Sequence, residues 1–187
     1  MSKTTWDEAQ AHELNFWSGD TDPEGYWWHY DMIFLPYLYP TFKSVIDIGS
    51  GPVPYIMSHN VRYVEGWAFD TLTAKYRELH QFDKYLIKPF TACETIPQRQ
   101  FEAVFCLNML DHVGAPDNVI RRVVEACGDW LFFYCDVNKT PDNMHPHTIS
   151  VDWVLSELSG FNIQVCQIKK NRVFDNNVMF YVGRRRK

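Results

Sequence analysis

The chain lacks the features that mark several common kinds of protein. Its five cysteines, at positions 93, 106, 127, 135 and 166, contain no C-x-x-C pair, so neither a zinc ribbon nor a dithiol redox motif is written here. Cys106, Cys135 and Cys166 sit inside apolar runs that read as buried strands, where a thiol behaves as a small hydrophobe, and free thiols in a reducing compartment are expected. No apolar stretch is long enough to cross a bilayer, and residues 1–10 are polar rather than leader-like; the expectation is a cytoplasmic protein with no membrane partner. Positive charge is scarce: 18 Lys and Arg against 23 Asp and Glu leave a net charge of -5, which repels phosphates and disfavours a nucleic-acid partner. The exception, Arg184-Arg185-Arg186-Lys187, reads as a solvated terminus. Repeats, low-complexity tracts and linkers are missing too, so one domain is expected over residues 1–187.

Aromatics, by contrast, are plentiful. Seven Trp, ten Tyr and thirteen Phe exceed what a core of this size needs, so some rings are expected to face a ligand. Many lie near the start. Residues 6–17 read as a short amphipathic helix, and a second runs from Pro23 through Tyr37 until Pro40 stops it. Together residues 1–40 read as a helical, aromatic-rich lid.

Beyond residue 40 short apolar runs alternate with helical segments. Strands are expected at 44–48, 63–69, 85–87 (weakly), 101–107, 130–137, 161–168 and 178–182, and helices at 54–59, 72–80, 117–127 and 151–158. Ser150 can cap the last helix and Gly160 can close it. No helix separates the final two strands, so they should pair antiparallel and leave one reversed strand at a sheet edge. The pattern predicts an α/β, Rossmann-like three-layer sandwich: a mostly parallel seven-stranded sheet with an antiparallel C-terminal hairpin strand.

The chemistry concentrates after the first strand. Asp47-Ile48-Gly49-Ser50-Gly51-Pro52 lets a turn approach a ligand closely, and the helix start beyond it should offer free backbone N–H groups. A dinucleotide loop requires a third glycine where this chain has Pro54. Asp47 instead suits a cofactor with a cationic amino group. Asp70 lies nineteen residues beyond Gly51, at the end of the second strand, where a carboxylate can accept hydrogen bonds from ribose hydroxyls.

Taken in order, these segments resemble class I S-adenosylmethionine (SAM) dependent methyltransferases of the small-molecule type. SVIDIGSGP resembles motif I, AFD with Asp70 the acidic end of motif II, and ACETIP with FEAVFCLNMLDHV motifs III and IV. HPHTISVDWVLSELSGF resembles the segment that leads to the sixth strand of that fold. The resemblance implies SAM as cofactor, with Asp47, Gly49, Ser50 and Gly51 around its methionine part and Asp70 and Thr71 at the ribose. Cys93 and Glu94 would border the adenine, and Asn108 and Met109 would form the floor beneath the sulfonium. Val53 replaces the third glycine of D-x-G-x-G-x-G, Ala92 stands where many relatives carry an Asp, and only eleven residues separate Gly51 from Tyr63. These departures motivate an alternative reading: a non-catalytic methyltransferase-like protein that binds SAM or a nucleoside, or serves as a partner subunit. SAM cleavage and NAD-dependent redox chemistry rank below both.

For the transfer itself, an acceptor that must lose a proton needs a base nearby. His112, His145 and His147 are the candidates, with Asp111 or Asp136 as orienting partners. Glu13, Trp17, Tyr26, Trp27, Trp28 and His29, with Tyr30, are the candidate acceptor-binding residues, by stacking, cation–π attraction or polar contact. His145-Pro146-His147 with Asp142 is too short a cluster to assign a metal. The chain has no [DNS]-P-P-[YFW] segment after the fourth strand, no Pro-Cys pair and no room for a target-recognition domain. The expected partner is therefore a small-molecule acceptor, and these motifs leave the oligomeric state open.

Overall fold

In a computed structural model of the chain, described for residues 6–18, 24–78, 88–142, 145–171 and 176–187, seven strands form one sheet in the order β3-β2-β1-β4-β5-β7-β6. They are β1 (Thr41–Ile48), β2 (Arg62–Phe69), β3 (Thr91–Cys93), β4 (Phe101–Leu107), β5 (Cys127–Val137), β6 (Phe161–Asn171) and β7 (Asn176–Arg185). β1 to β5 pair in parallel, and β7 runs antiparallel to both β5 and β6. The reversed strand thus lies between β5 and β6, not at the edge that the sequence pattern implied; β6 forms the edge. The expected strand at 85–87 lies outside the described residues.

Alternation along each strand builds the two apolar layers. Val45, Ala103, Phe105, Phe132 and Phe180 point to one face, where Trp27, Tyr30, Ile33 and Phe34 cover them. Those four come from α2 (Glu24–Phe34), which continues as a 3-10 turn, Leu35–Tyr37, rather than as one helix to Pro40. Ile46, Ile48, Val104, Cys106, Leu131 and Phe133 point to the other face, under Ile120 and Val123 of α4 (Pro116–Ala126) and Val154 of α5 (Val151–Glu157). Burial on both faces explains why β4 and β5 read as continuous apolar runs.

The remaining helices are α1 (Trp6–Ser18) and α3 (Thr73–Glu78). Pro52 and Pro54 leave little chain for a helix between β1 and β2, and only a buried 3-10 turn forms there, Tyr55–Met57. None of the described helices is long and apolar enough to cross a membrane. All five cysteines are free; Cys106, Cys127 and Cys135 are buried, but Cys166 is only half-buried because β6 is an edge. In the basic tail Arg184, Arg186 and Lys187 are exposed, as its composition suggested, and Arg185 is half-buried. Arg184 pairs with Asp129 at 3.0 Å, Arg185 donates to the carbonyls of Val124 and Cys127, and Arg186 donates to Asn162.

Ser150 does cap α5: its Oγ accepts the Trp153 amide at 3.2 Å. Ser150→Ala should therefore cost about 1 kcal/mol, read as a melting temperature lower by about 2–4 °C. An unchanged melting temperature would show that the cap carries no weight.

Candidate active site

The strand order reverses beside β1, because β2 lies on one side and β4 on the other. In open α/β sheets such a point leaves a crevice outside the carboxyl ends of the strands. Here the crevice is a cavity of about 460 Å³.

One half of it is the glycine turn. Gly49 and Gly51 have φ of +74° and +58°, which glycine adopts without strain. The amides of Gly49 and Ser50 donate to the Phe69 carbonyl at 2.8 and 3.1 Å, and the Gly51 amide donates to Asp70 Oδ2 at 3.0 Å. The turn and the distant carboxylate are thus bonded directly to each other. Asp70 Oδ1 accepts the Leu72 amide at 2.8 Å. Asp47 faces the same space but is 2% exposed, and its Oδ2 accepts the Tyr55 amide at 2.6 Å. The N–H groups expected to await a ligand at this turn, those of Tyr55 and Ile56, go to Asp47 instead.

Burial raises both carboxyl groups, Asp47 to about 7 and Asp70 to about 6. Backbone N–H donors pull each down, and neighbouring negative charge, Asp70 beside Asp47 and Glu13 beside Asp70, adds to the rise. Among the described residues no Lys, Arg or His pairs with either.

α1 closes this half from above the turn. Gln10, Glu13 and Trp17 share a stripe at i, i+3 and i+7 and all line the cavity. The Trp17 indole donates to Glu13 Oε1 at 2.6 Å and lies 3.7 Å from where a Cβ on Gly51 would sit. Burial raises the Glu13 carboxyl, and the Trp17 hydrogen bond opposes that only in part.

The other half is rich in titratable groups. His112, Asp136, Lys139 and His145 line it with Trp27, His29, Tyr30 and Tyr134. Asp111, 1% exposed, stands behind the two histidines. His112 Nδ1 lies 3.7 Å from Glu13 Oε2, and the rings of His112 and His145 are 4.4 Å apart. His145 Nδ1 is 2.8 Å from Asp142 Oδ1 and 2.7 Å from Lys139 Nζ. Burial lowers the His112 imidazole despite Asp111, and raises the carboxyl groups of Asp111 and Asp136.

Searches for relatives agree with this architecture. A ubiquinone biosynthesis O-methyltransferase of Pseudomonas entomophila (strain L48) is 29% identical over 127 residues, covering 62% of this chain and 53% of that protein. One from Paraburkholderia xenovorans (strain LB400) is 27% identical over 152 residues, 67% of this chain and 62% of its own length. The match therefore spans roughly half to three-fifths of these curated relatives. Among solved structures, the N-methyltransferase NodS of Bradyrhizobium japonicum WM9, bound to S-adenosyl-L-homocysteine (SAH), superposes with a TM-score of 0.69 at 12% identity over 90% of both chains. The magnesium protoporphyrin IX methyltransferase ChlM of Synechocystis PCC 6803, also with SAH, gives 0.69 at 13% identity over 95% and 94%. The chain has the class I SAM-dependent methyltransferase fold. No family model matches it. The fold does not fix the reaction, because the [4+2]-cyclase SpnF superposes equally well, at a TM-score of 0.70 over 99% of this chain and 97% of its own.

Within this methyltransferase fold the residues fit SAM. Two buried carboxyl groups lacking a cationic protein partner suit a ligand that carries a sulfonium and an ammonium. A glycine turn with two positive φ values leaves room for it beside them. Of the residues expected at the cofactor, Asp47, Gly49, Ser50, Gly51, Asp70, Thr71, Asn108 and Met109 line the cavity. Cys93 and Glu94 do not, because β3 holds Cys93 against β2, where its Sγ donates to the Ala68 carbonyl, and Glu94 is exposed beyond it.

Of the residues expected at the acceptor, Glu13, Trp17, Trp27 and His29 line the cavity. Trp28 faces outward, 50% exposed and stacked on His29 at 3.8 Å, because consecutive helix positions point about 100° apart. The Tyr26 side chain lies outside the described residues. Of the three histidines named as bases, His112 and His145 meet, while His147 does not reach the cavity. Sequence reasoning missed Tyr134 and Lys139. Tyr134 sits inside a strand read as core, and Lys139 follows the end of β5, the position from which a parallel sheet delivers residues to its crevice.

Proposed function

We propose that this protein transfers the methyl group of SAM to a hydroxyl oxygen of a small-molecule acceptor. The observation that carries the reading is the meeting, in one cavity, of a donor half built on Gly49, Gly51 and Asp70 with a base-rich half built on His112 and His145. Bound SAM supplies an activated methyl group, so the protein's task is alignment, exclusion of water and removal of the acceptor's proton. Asn108 (φ +54°) ends β4 with its amide bonded to the Tyr134 carbonyl at 2.8 Å, and it brings Met109 against Gly49. That contact sets the floor between the two halves. Trp17, Trp27 and Tyr30 cover an acceptor with apolar rings.

An oxygen acceptor is favoured by the base-rich end and by the O-methyltransferases among the relatives. Burial keeps the His112 imidazole neutral near pH 7, the form that takes a proton. Glu13, facing its Nδ1, stabilises the imidazolium that results.

Calorimetry with SAH and mass spectrometry of a panel of phenols and alcohols incubated with SAM test the proposal. Wild type should bind SAH and give a product heavier by one methylene. Gly51→Trp should bind none, because even a Cβ there already touches the Trp17 ring. SAH binding with no product from any hydroxyl compound would favour the non-catalytic alternative; binding undisturbed by Gly51→Trp would remove the donor site from this cavity.

A further inference from the structure

The acceptor end holds polar atoms that methyl transfer alone does not explain. Asp111 Oδ2 and His112 Nε2 are buried, and neither has a hydrogen-bond partner among the described residues. A buried group left in that state costs stability. Both point into one small cluster. One donor atom from each of Asp111, His112 and His145 lies within 4.8 Å of the others. His145 Nε2 is 3.8 Å from Asp111 Oδ2, and His112 Nε2 is 4.0 Å from Asp111 Oδ1.

These distances are too long for hydrogen bonds. They are somewhat wider than the separation of ligands around an ion. Nitrogen and oxygen donors at about 2.0–2.2 Å from a tetrahedral zinc ion lie about 3.3–3.6 Å apart, so binding draws the three atoms together, the widest pair by up to about 1.2 Å.

One outer partner has the arrangement of a metal site. A metal-bound imidazole uses one ring nitrogen for the ion and gives the other N–H to a carboxylate. His145 Nδ1 meets this pattern with Asp142 Oδ1 at 2.8 Å, whereas Glu13 Oε2, 3.7 Å from His112 Nδ1, is within reach of charge attraction but not of a hydrogen bond. In His145 the carboxylate therefore favours a proton on Nδ1 and leaves the Nε2 lone pair directed at Asp111. With His145 in that form, Lys139 turns to the Asp142 and Asp136 carboxylates, 3.0 and 3.8 Å away.

We propose that Asp111, His112 and His145 form a binding site for a late first-row divalent cation, zinc foremost, at the acceptor end of the cavity. Two imidazoles and one carboxylate select zinc, cobalt, nickel or iron over magnesium and calcium, which prefer oxygen donors throughout. Three protein ligands leave a coordination position on the cavity side, where His112 and His145 line the wall. If the methyl-transfer reading holds, that position is where an acceptor oxygen binds, and the ion, by lowering its pKa, takes over the part that His112 plays as base in the metal-free protein. Binding of the ion does not depend on that reading.

The test is a Co²⁺ titration of the chelator-treated full chain, followed by visible absorption and competed with Zn²⁺, with SAH calorimetry on the same samples. One equivalent should bind and be displaced by Zn²⁺. Asp111→Asn and His145→Asn should each weaken it at least tenfold, with SAH affinity changed less than twofold. His145→Asn replaces a side chain that is 16% exposed, against 2% for Asp111, and serves as the second arm if Asp111→Asn does not fold. No stoichiometric binding, or binding indifferent to both substitutions, would overturn the site. Cobalt binding without SAH binding would leave the metal site standing and sink the donor reading; SAH binding without cobalt binding would do the reverse.

Discussion

Gly49→Val is expected to abolish SAH binding and to lower stability by about 3–4 kcal/mol, a fall of about 10 °C in melting temperature. Two independent costs combine at this position. Its φ of +74° lies in the left-handed region, where an L side chain costs about 1–2 kcal/mol and a β-branched one more. A Cβ placed there also lies 2.5 Å from both Cβ and Cγ of Met109. The Met109 Cβ is fixed to a backbone that the Asn108 amide ties to β5, so it cannot swing aside. The turn would have to leave the Phe69 carbonyl, and with it the Asp70 bond that shapes the donor half. Gly51→Ala provides the control. Its added Cβ meets nothing nearer than the Trp17 ring at 3.7 Å, so only the backbone cost of about 1 kcal/mol remains. Equal effects at the two glycines would refute the argument, as would a Gly49→Val protein that melts with wild type.

The same turn shows what could be read from the sequence. Strand runs such as FEAVFCL are legible because burial on both faces admits almost only apolar residues, and the glycine turn and Asp70 are legible as neighbours because each follows the carboxyl end of such a run. What the letters could not give was direction. Asp47 was legible as a carboxylate beside the turn, but that its oxygen goes to the Tyr55 amide depends on how tightly Pro52 and Pro54 fold the chain back. The place of β7 between β5 and β6 was equally hidden, since two adjacent antiparallel strands read alike whichever lies outside.

The acceptor end was legible in types but not in grouping. His112, His145 and His147 look equivalent as letters. Only the return of the chain after β5 brings His145 to His112 and leaves His147 outside. Asp142, considered with His145 and His147 as metal ligands, instead holds the far side of the His145 ring. Asp111, adjacent to His112, is the carboxylate that both imidazoles face.

The affinity for SAM, in contrast to SAH, is expected to rise about tenfold or more between pH 5.5 and 8, and Asp47→Asn should flatten that rise more than Asp70→Asn, because the carboxylate expected at the ribose meets a part that both ligands share. Asp47 and Asp70 hold their protons to about pH 7 and 6 because burial disfavours their charged forms. Among the described residues the groups facing them supply no cation: Glu13 stands beside Asp70, and Tyr55 and Tyr76 stay neutral through this range. SAM carries one positive charge more than SAH. Its binding favours the ionised carboxylates, releases protons below their folded values, and so strengthens as pH rises through that window. Stability of the free protein moves the opposite way. The unfolded chain loses these protons near the ordinary carboxylate value, so between about pH 4 and 7 the folded state binds more of them and stability falls with rising pH. The contribution of the two groups is fully present below about pH 4 and gone above about pH 7. Asp47→Asn, which keeps an oxygen for the Tyr55 amide, should lessen that decline, and saturating SAM should offset part of it in wild type. Calorimetry across the pH series and melting curves with and without ligand measure both trends. A ratio of SAM to SAH affinity that stays constant from pH 5.5 to 8 would mean that neither carboxylate faces the sulfonium, and the donor half would have to be sought elsewhere in the cavity.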